Sequence, residues 1–273
     1  MAEQSRRLDA ERPAARPPVL VTASVSGAVA VLTLNDPERR NPLSPDLRDA
    51  LLAALDRSMA DQTVRAVLVV GAGGSFCAGG DIATMADLTR ESGRVRLERS
   101  QALIRRIAGA PKPVIAAVEG VAAGAGLSLA AACDVVVAAA DARFTAAFGQ
   151  LGLMPDLGAL WSVPARTGLG AARRLLMLGD AADGAEALRI GLADRLAAPG
   201  SALETAMETA LGLAEAAPLA LAAIKTVLAE HPQTLEAVLR AEAAQQAELF
   251  ASGDLREGLE AFRNRRAPTF RGR

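Results

Sequence analysis

Apolar positions along this chain follow two kinds of spacing, and the balance between them changes near residue 200. Before that point, short apolar runs are typical of strands, and the first two flank Ser26-Gly27, a hairpin signal. Segments with helical spacing separate the later runs. The first helix is predicted to begin at Pro45, which suits a first turn, after the capping residue Ser44. The predicted strands are 19–25, 28–34, 65–70, 112–118 and 134–138. Beyond residue 200, only helical spacing is found, at 203–216, 219–229, 235–250 and 254–263.

Glycine-rich segments connect predicted strands to predicted helices at two places. One covers 71–81 and contains Gly80, and the other is centred on Ala125, before a helix predicted to end at residue 132. Glycine allows another backbone to approach closely, and the first N–H groups of a helix have no helical carbonyl to bind. Two such amides that converge can hold a developing oxyanion. Tight packing alone also explains the small residues, and spacing by itself favours that simpler interpretation.

Composition excludes several classes of function. The 273 residues are 51% hydrophobic and 22% charged, as in a globular protein with a sizeable core. The 30 basic and 31 acidic residues nearly balance, which argues against nucleic-acid binding as the main function. Cys77 and Cys133 are too few for a disulfide framework, so a reducing compartment is expected. The sequence contains no export or membrane-spanning pattern, and we predict a cytoplasmic protein without a membrane partner, preceded by a disordered tail at 1–17.

The presence of a single histidine excludes several types of catalytic and metal site. His231 lies at a predicted break between two helices, where a solvated loop histidine is expected. Sites of the Ser-His-Asp, Cys-His and His-rich metal types would all need this residue, so none of them is predicted and no metal is expected. The phosphate-binding loop GxxxxGK[ST] is absent, and no dinucleotide fingerprint follows the first strand.

Several short motifs follow one another in a specific order. They are Arg40-Asn41-Pro42-Leu43-Ser44, Ser75-Phe76-Cys77-Ala78-Gly79-Gly80-Asp81-Ile82, Lys112-Pro113-Val114-Ile115-Ala116-Ala117-Val118-Glu119-Gly120, Gly124-Ala125-Gly126 and Cys133-Asp134. Together they resemble the crotonase family, also called the enoyl-CoA hydratase/isomerase family, over the chain after the tail. The resemblance implies an α/β fold, with a core of ββα units in a spiral (18–200) and a helical trimerisation region (201–273). It also implies an acyl-CoA thioester substrate, no separate cofactor, and a homotrimer or a hexamer of two trimers.

The resemblance also assigns roles to individual residues. The N–H groups of Gly80 and Ala125 would form an oxyanion hole for the thioester carbonyl, where loss of one donor typically costs about 10²–10³ in rate. Four residues fall in segments that resemble the CoA-binding surface, and two of these have simpler explanations as a helix cap (Asp81) and a solvated side chain (Arg40). The four are Arg40, Ala78, Asp81 and Ile82.

Departures from the family pattern indicate the reaction. Hydratases of the family use two glutamates on water, and the corresponding positions here are Ser128 and Phe148, neither of which can be a base. Ser128 could bind a water or a backbone group, and Phe148 is expected to line the acyl pocket. Asp156 resembles the single acid of the isomerase-like branch, where one carboxylate carries a proton between two carbons. Its alternative role is a cap for the helix that begins near Gly158.

We therefore predict an enoyl-CoA isomerase-type enzyme with Asp156 as the proton shuttle. Burial beside Phe148, Leu153 and Met154 is expected to raise its pKa. The alternatives are an enoyl-CoA hydratase with an atypical base, and a non-catalytic homologue that binds acyl-CoA. An RNA-binding homologue would need a basic patch, and the arginines at the chain ends are too scattered to form one. A dehalogenase branch with a histidine base is excluded by the position of His231.

Overall fold

The computed structural model describes residues 19–231 and 233–273, so the predicted tail at 1–17 lies outside the described residues. Strands and helices alternate until Ala197, and helices alone follow. The strands are β1 (Val21–Ser26), β2 (Val29–Leu34), β3 (Ala66–Gly71), β4 (Val114–Val118), β5 (Val121–Ala123), β6 (Val135–Ala139), β7 (Arg143–Thr145), β8 (Ala181–Asp183) and β9 (Arg195–Ala197). The helices are α1 (Pro45–Ala60), α2 (Arg90–Ala108), α3 (Ala125–Ala132), α4 (Ala159–Arg173), α5 (Gly184–Arg189), α6 (Ala202–Glu215), α7 (Pro218–Ala229), α8 (Leu235–Ala251) and α9 (Gly253–Arg263).

The larger sheet has the strand order β1-β2-β3-β4-β6-β9. β1 and β2 form the predicted antiparallel hairpin, in which Gly27 has a φ of 59°, and the remaining pairs are parallel. β3 is almost wholly buried and β4 entirely so, as expected for parallel strands covered on both faces. A smaller sheet has the order β5-β7-β8.

Successive turns of the chain repeat one pattern, which is the spiral of ββα units that the resemblance implied. β4 of the larger sheet leads to β5 of the smaller sheet and then to α3, and β6 leads to β7 and then to α4. After β3, an isolated bridge between Cys77 and Ala122 takes the place of the second strand. Because β3 and β4 are parallel neighbours, the repetition brings the segments that precede α2 and α3 close together, beyond the carboxyl ends of these two strands.

Helix starts follow local capping chemistry. The hydroxyl of Ser44 accepts a hydrogen bond from the N–H of Leu47 at 3.1 Å, so α1 begins where the sequence predicts. α2 begins at Arg90, because Thr89 and Ser92 form a reciprocal capping box.

The C-terminal helices differ in how they contact the core. α6 buries one stripe of alanines against the larger sheet, although the predicted division at residue 201 places it in the C-terminal region. α7 is bound to the core through Lys225, whose ammonium contacts the half-buried Asp134 carboxylate and the carbonyls of Ile107 and Lys112. Within the described ranges no single helix is long and apolar enough to span a membrane, and only the pair α6–α7, bent by 110°, passes that test when combined.

Candidate active site

The two glycine-rich segments are bound to each other through their backbones. The N–H of Cys77 donates to the carbonyl of Val121 at 2.9 Å, and the N–H of Ala123 donates to the carbonyl of Cys77 at 3.0 Å. A Cβ added at Gly126 would lie only 2.3 Å from the Cys77 carbonyl oxygen, so glycine is required there. The simpler interpretation of these glycines, tight packing, is therefore correct at Gly126, and this packing fixes the position of one segment against the other.

This contact places the amides of Gly80 and Ala125 on adjoining segments. A Cβ added at Gly79 would lie 4.0 Å from the amide nitrogen of Ala125, which is the first residue of α3. Neither the Gly80 N–H nor the Ala125 N–H donates a hydrogen bond to any of the residues 19–231 and 233–273. Two neighbouring unpaired donors, one of them at a helix N-terminus, can together stabilise a negatively charged oxygen.

The segments predicted to bind CoA lie beside Gly80. The backbone of Arg40 is left-handed, with a φ of 60°, and its carbonyl accepts a hydrogen bond from the Ala78 N–H at 2.9 Å. The side chain of Ile82 is 60% exposed. Asp81 is buried and accepts a hydrogen bond from Nη1 of Arg39 at 3.0 Å. Its side chain makes no cap for the 3-10 turn that follows, so the helix-cap explanation of Asp81 is wrong.

Sequence reasoning did not identify the role of Asn41, which organises this region. Asn41 is fully buried with a φ of 55°, and its amide nitrogen donates to the carbonyls of Ala72 (2.9 Å) and Ser75 (2.7 Å). Its side-chain oxygen accepts a hydrogen bond from the N–H of Asp36 at 2.8 Å. Asparagine tolerates left-handed backbone and bonds nearby backbone groups, which is the signal that could have identified this residue.

Apolar side chains flank the two amides. The Cε of Met85 lies 2.7 Å from where a Cβ of Gly80 would stand, and Cζ of Phe148 lies 3.9 Å from the corresponding point at Gly124. Phe148 is buried, and its place along an acyl pocket stays a prediction, whereas Met85 was not singled out from the sequence. Ser128 is fully buried and its hydroxyl donates to the carbonyl of Gly124 at 3.2 Å, which is the backbone contact proposed for it.

Asp156 lies at the end of the loop that begins with Phe148. The N–H of Leu153 donates to the carbonyl of Phe148 at 3.0 Å and closes this loop. α4 begins after Gly158, and no side chain caps it, so the alternative role of Asp156 as a helix cap is wrong. The Oδ1 atom of Asp156 is buried and has no hydrogen-bond partner among the described residues.

The environment of Asp156 raises its pKa. Burial is the main cause, and the positive charge of Arg96 on α2 partly offsets it. The predicted source of burial is only partly correct, because Leu153 is 50% exposed and Met154 is 69% exposed. The buried residues of the same loop are Phe148 and Leu157, each under one tenth exposed. A partly buried carboxylate with a raised pKa and a free oxygen can take up and return a proton.

Comparisons with known proteins agree with this architecture. The model of a family described as enoyl-CoA hydratase/isomerase matches residues 24–273. A probable enoyl-CoA hydratase of Rhodobacter capsulatus is 39% identical over 250 residues, which cover 91% of this chain and 96% of that protein. A 1,2-epoxyphenylacetyl-CoA isomerase of Escherichia coli is 36% identical and covers 93% of this chain and 98% of its own. The crystal structure of an enoyl-CoA hydratase from Polaromonas sp. JS666 has a TM-score of 0.88 at 36% identity, covering 92% of this chain and 99% of that one.

Proposed function

Because the chain belongs to the enoyl-CoA hydratase/isomerase (crotonase) family, we propose that it shifts a double bond within an enoyl-CoA thioester, between the β,γ and α,β positions. The thioester oxygen binds the N–H groups of Gly80 and Ala125, and the CoA portion lies along the surface of Arg40, Ala78, Asp81 and Ile82. Phe148 contacts the acyl chain. The substrate itself carries the CoA group, so the reaction needs no separate cofactor.

One carboxylate is enough for both proton transfers of this reaction. Asp156 removes a proton from the α-carbon of a β,γ-enoyl thioester, and the electron pair of that C–H bond delocalises into a dienolate. The negative charge at the thioester oxygen is stabilised by the two amides. Protonated Asp156 then returns the proton to the γ-carbon, which leaves the double bond between the α- and β-carbons and regenerates the carboxylate.

The observation that carries this proposal is the state of the Asp156 side chain. Asp156 lies in the same loop as Phe148, its Oδ1 is buried without a partner among the described residues, and its pKa is raised. A structural aspartate would use its oxygens in caps or ion pairs, as Asp194 does with Arg166. A buried oxygen without a partner destabilises the folded protein, and a role in accepting a proton from the substrate explains why such an oxygen is present.

Enoyl-CoA hydration is the second candidate. Its support is the similarity to proteins described as enoyl-CoA hydratases in Rhodobacter capsulatus and Polaromonas. Hydration requires a base that activates water, and Ser128 and Phe148 supply none at the two positions that resemble those of the family's glutamates. Under this candidate, Asp156 itself would have to activate the water.

The variant Asp156→Asn separates these candidates because it is nearly isosteric and cannot accept a proton. We expect it to keep CoA-thioester binding and to lose about 10²–10⁴ in the rate of 3-enoyl-CoA isomerisation. The wild type and the variant are assayed for isomerisation of 3-enoyl-CoA and hydration of 2-enoyl-CoA. Fast hydration that survives the substitution would contradict the isomerase proposal, and thioester binding without any turnover would support a non-catalytic homologue.

We also propose a trimer-based assembly through the helices that follow α6. α7, α8 and α9 carry large apolar side chains that are mostly exposed in the single chain. Among these are Leu228, Leu235, Phe250 and Phe262. Large apolar side chains exposed on consecutive helices are typical of protein–protein interfaces.

A further inference from the structure

Arg96, on α2, is the charged group that acts on Asp156 from outside its loop. The face of α2 that carries Arg96 also carries Ser100 and Ile104 at intervals of four residues, and such residues lie on one side of a helix. Cγ2 of Ile104 lies 3.3 Å from where a Cβ of Gly158 would stand. This face of α2 therefore packs directly behind the segment of Asp156, and Arg96 lies two turns nearer the N-terminus of the helix.

The guanidinium of Arg96 is held by Thr84 and not by a carboxylate. Its Nη1 donates to the hydroxyl of Thr84 at 2.8 Å and also contacts the Thr84 carbonyl at 3.4 Å. The Thr84 hydroxyl in turn donates to the carbonyl of Asp81 at 2.7 Å, next to Gly80. Arg96 is thus fixed to the segment that supplies the first oxyanion amide, while its charge reaches Asp156.

The arrangement avoids a direct ion pair. No nitrogen of Arg96 lies within salt-bridge distance of Asp156, although the charges interact. A direct pair would occupy the carboxylate oxygens and strongly favour the ionised form, which weakens a base. Without any cation, burial would favour the protonated form, which cannot accept a proton. A cation held at a distance favours the ionised carboxylate less than a direct ion pair would, and more than burial without any cation would.

We propose that Arg96 is a positioning residue, which supports Asp156 as the base by holding a positive charge near the carboxylate without hydrogen-bonding to it. This inference rests on the proposed role of Asp156 in proton transfer. The other charges that act on the Arg96 guanidinium are Asp81, in the segment after β3, and Arg48, on α1. Arg48 is itself engaged by Asp49 and by Ser100, so it is not free to replace Arg96.

The test compares pH profiles of kcat/KM for isomerisation in the wild type and in Arg96→Gln. Loss of the cation disfavours ionised Asp156, so the midpoint of the acidic limb moves to higher pH. We expect a loss of several-fold in kcat/KM below the midpoint and little loss well above it. Arg96→Lys restores the positive charge and should move the midpoint back towards that of the wild type.

Arg99→Gln is the matched control, because it removes the same charge from an exposed position on the same helix without interacting with Asp156. Its profile should coincide with that of the wild type. A uniform loss at every pH in Arg96→Gln, or an unchanged midpoint, would overturn the proposal, since either result indicates a purely structural arginine.

A second readout does not depend on turnover. In protein labelled with carbon-13 at the aspartate side chains, the Asp156 signal is assigned by its loss in Asp156→Asn and then titrated. A rise of its midpoint in Arg96→Gln supports the coupling even if the wild type does not isomerise any thioester, in which case only the proposed function fails. An unchanged midpoint overturns the coupling, whatever the wild type catalyses.

Discussion

Replacing Gly126 with alanine tests whether the contact between the two glycine-rich segments controls catalysis. The added Cβ would lie 2.3 Å from the carbonyl oxygen and 2.8 Å from the Cβ of Cys77, whereas ordinary contacts begin near 3.4 Å. Because the oxygen belongs to the backbone of a close-packed interior, the two segments must separate by about 1 Å. Ala125, the adjacent residue, would move with them, and its amide would leave its place beside Gly80.

The expected effect follows from that displacement. A misplacement of about 1 Å in a catalytic group costs on the order of 10²-fold in rate, and overpacking of a well-packed core costs about 1–3 kcal/mol of stability. We expect Gly126→Ala to fold, to unfold at lower urea concentration, and to lose about 10²-fold in kcat/KM for 3-enoyl-CoA. The assays are steady-state isomerisation and urea denaturation of the same preparation.

The control is Gly212→Ala in α6, where an added Cβ meets nothing within 4 Å. Removing a glycine from a helix interior should stabilise the protein by roughly 0.5–1 kcal/mol and leave the rate unchanged. A folded Gly126→Ala protein with the full wild-type rate would refute the reasoning, because it would show that the separation of the segments does not affect the oxyanion donors.

Four other substitutions or measurements follow from the structure. Ala125→Pro deletes one of the two proposed oxyanion donors at a first helical position that accepts proline, so kcat/KM should fall about 10²–10³-fold, and an unchanged rate in the folded variant would exclude this amide. Lys225→Met leaves the half-buried Asp134 carboxylate without its cation and should cost about 1–3 kcal/mol in urea denaturation, with partial recovery in the double variant carrying Asp134→Asn; additive losses would argue against the pair. The pKa of Asp156 is raised in the folded state, so its ionisation lowers the stability of the protein as the pH rises from the ordinary pKa of aspartate to the raised one. Asp156→Asn should therefore have a higher Tm than the wild type above this pH range but not below it. A difference in Tm that is constant at all pH values would contradict the raised pKa. Light scattering should give a mass at least three times the 28.0 kDa of one chain, and a monomer at micromolar concentration would exclude the proposed assembly.

Local rules were sufficient for several elements of the fold. The β1–β2 hairpin around Gly27 and the start of α1 at Ser44 depend on neighbouring residues, and the sequence predicts both. The short strands β5, β7 and β8 were not predicted, because three residues carry no measurable period. They are strands only because the spiral places them beside one another.

In the candidate site, too, local sequence motifs predict some residues, whereas the contributions of others depend on tertiary packing. Gly80, Ala125 and Asp156 come from motifs that could be read in sequence, and the structure brings the first two onto adjoining segments. The contributions of Met85 and Arg96 depend on where α2 and the segment before it pack, which no local pattern specifies. The burial of Asp156 was expected from Leu153 and Met154, but both side chains turn out to solvent, since only the folded loop determines which neighbours cover the carboxylate.

The proposed use of backbone amides as oxyanion donors has a consequence for how an enzyme of this family can change during evolution. The amides of Gly80 and Ala125 belong to the main chain, so a side-chain substitution that spares the tight glycine contacts would leave both donors in place. The proposed proton transfer, in contrast, depends on the side chain of Asp156, in a separate loop between β7 and α4. Exchanging a few residues of that loop can therefore replace one reaction with another, while the costly part of the machinery is inherited unchanged.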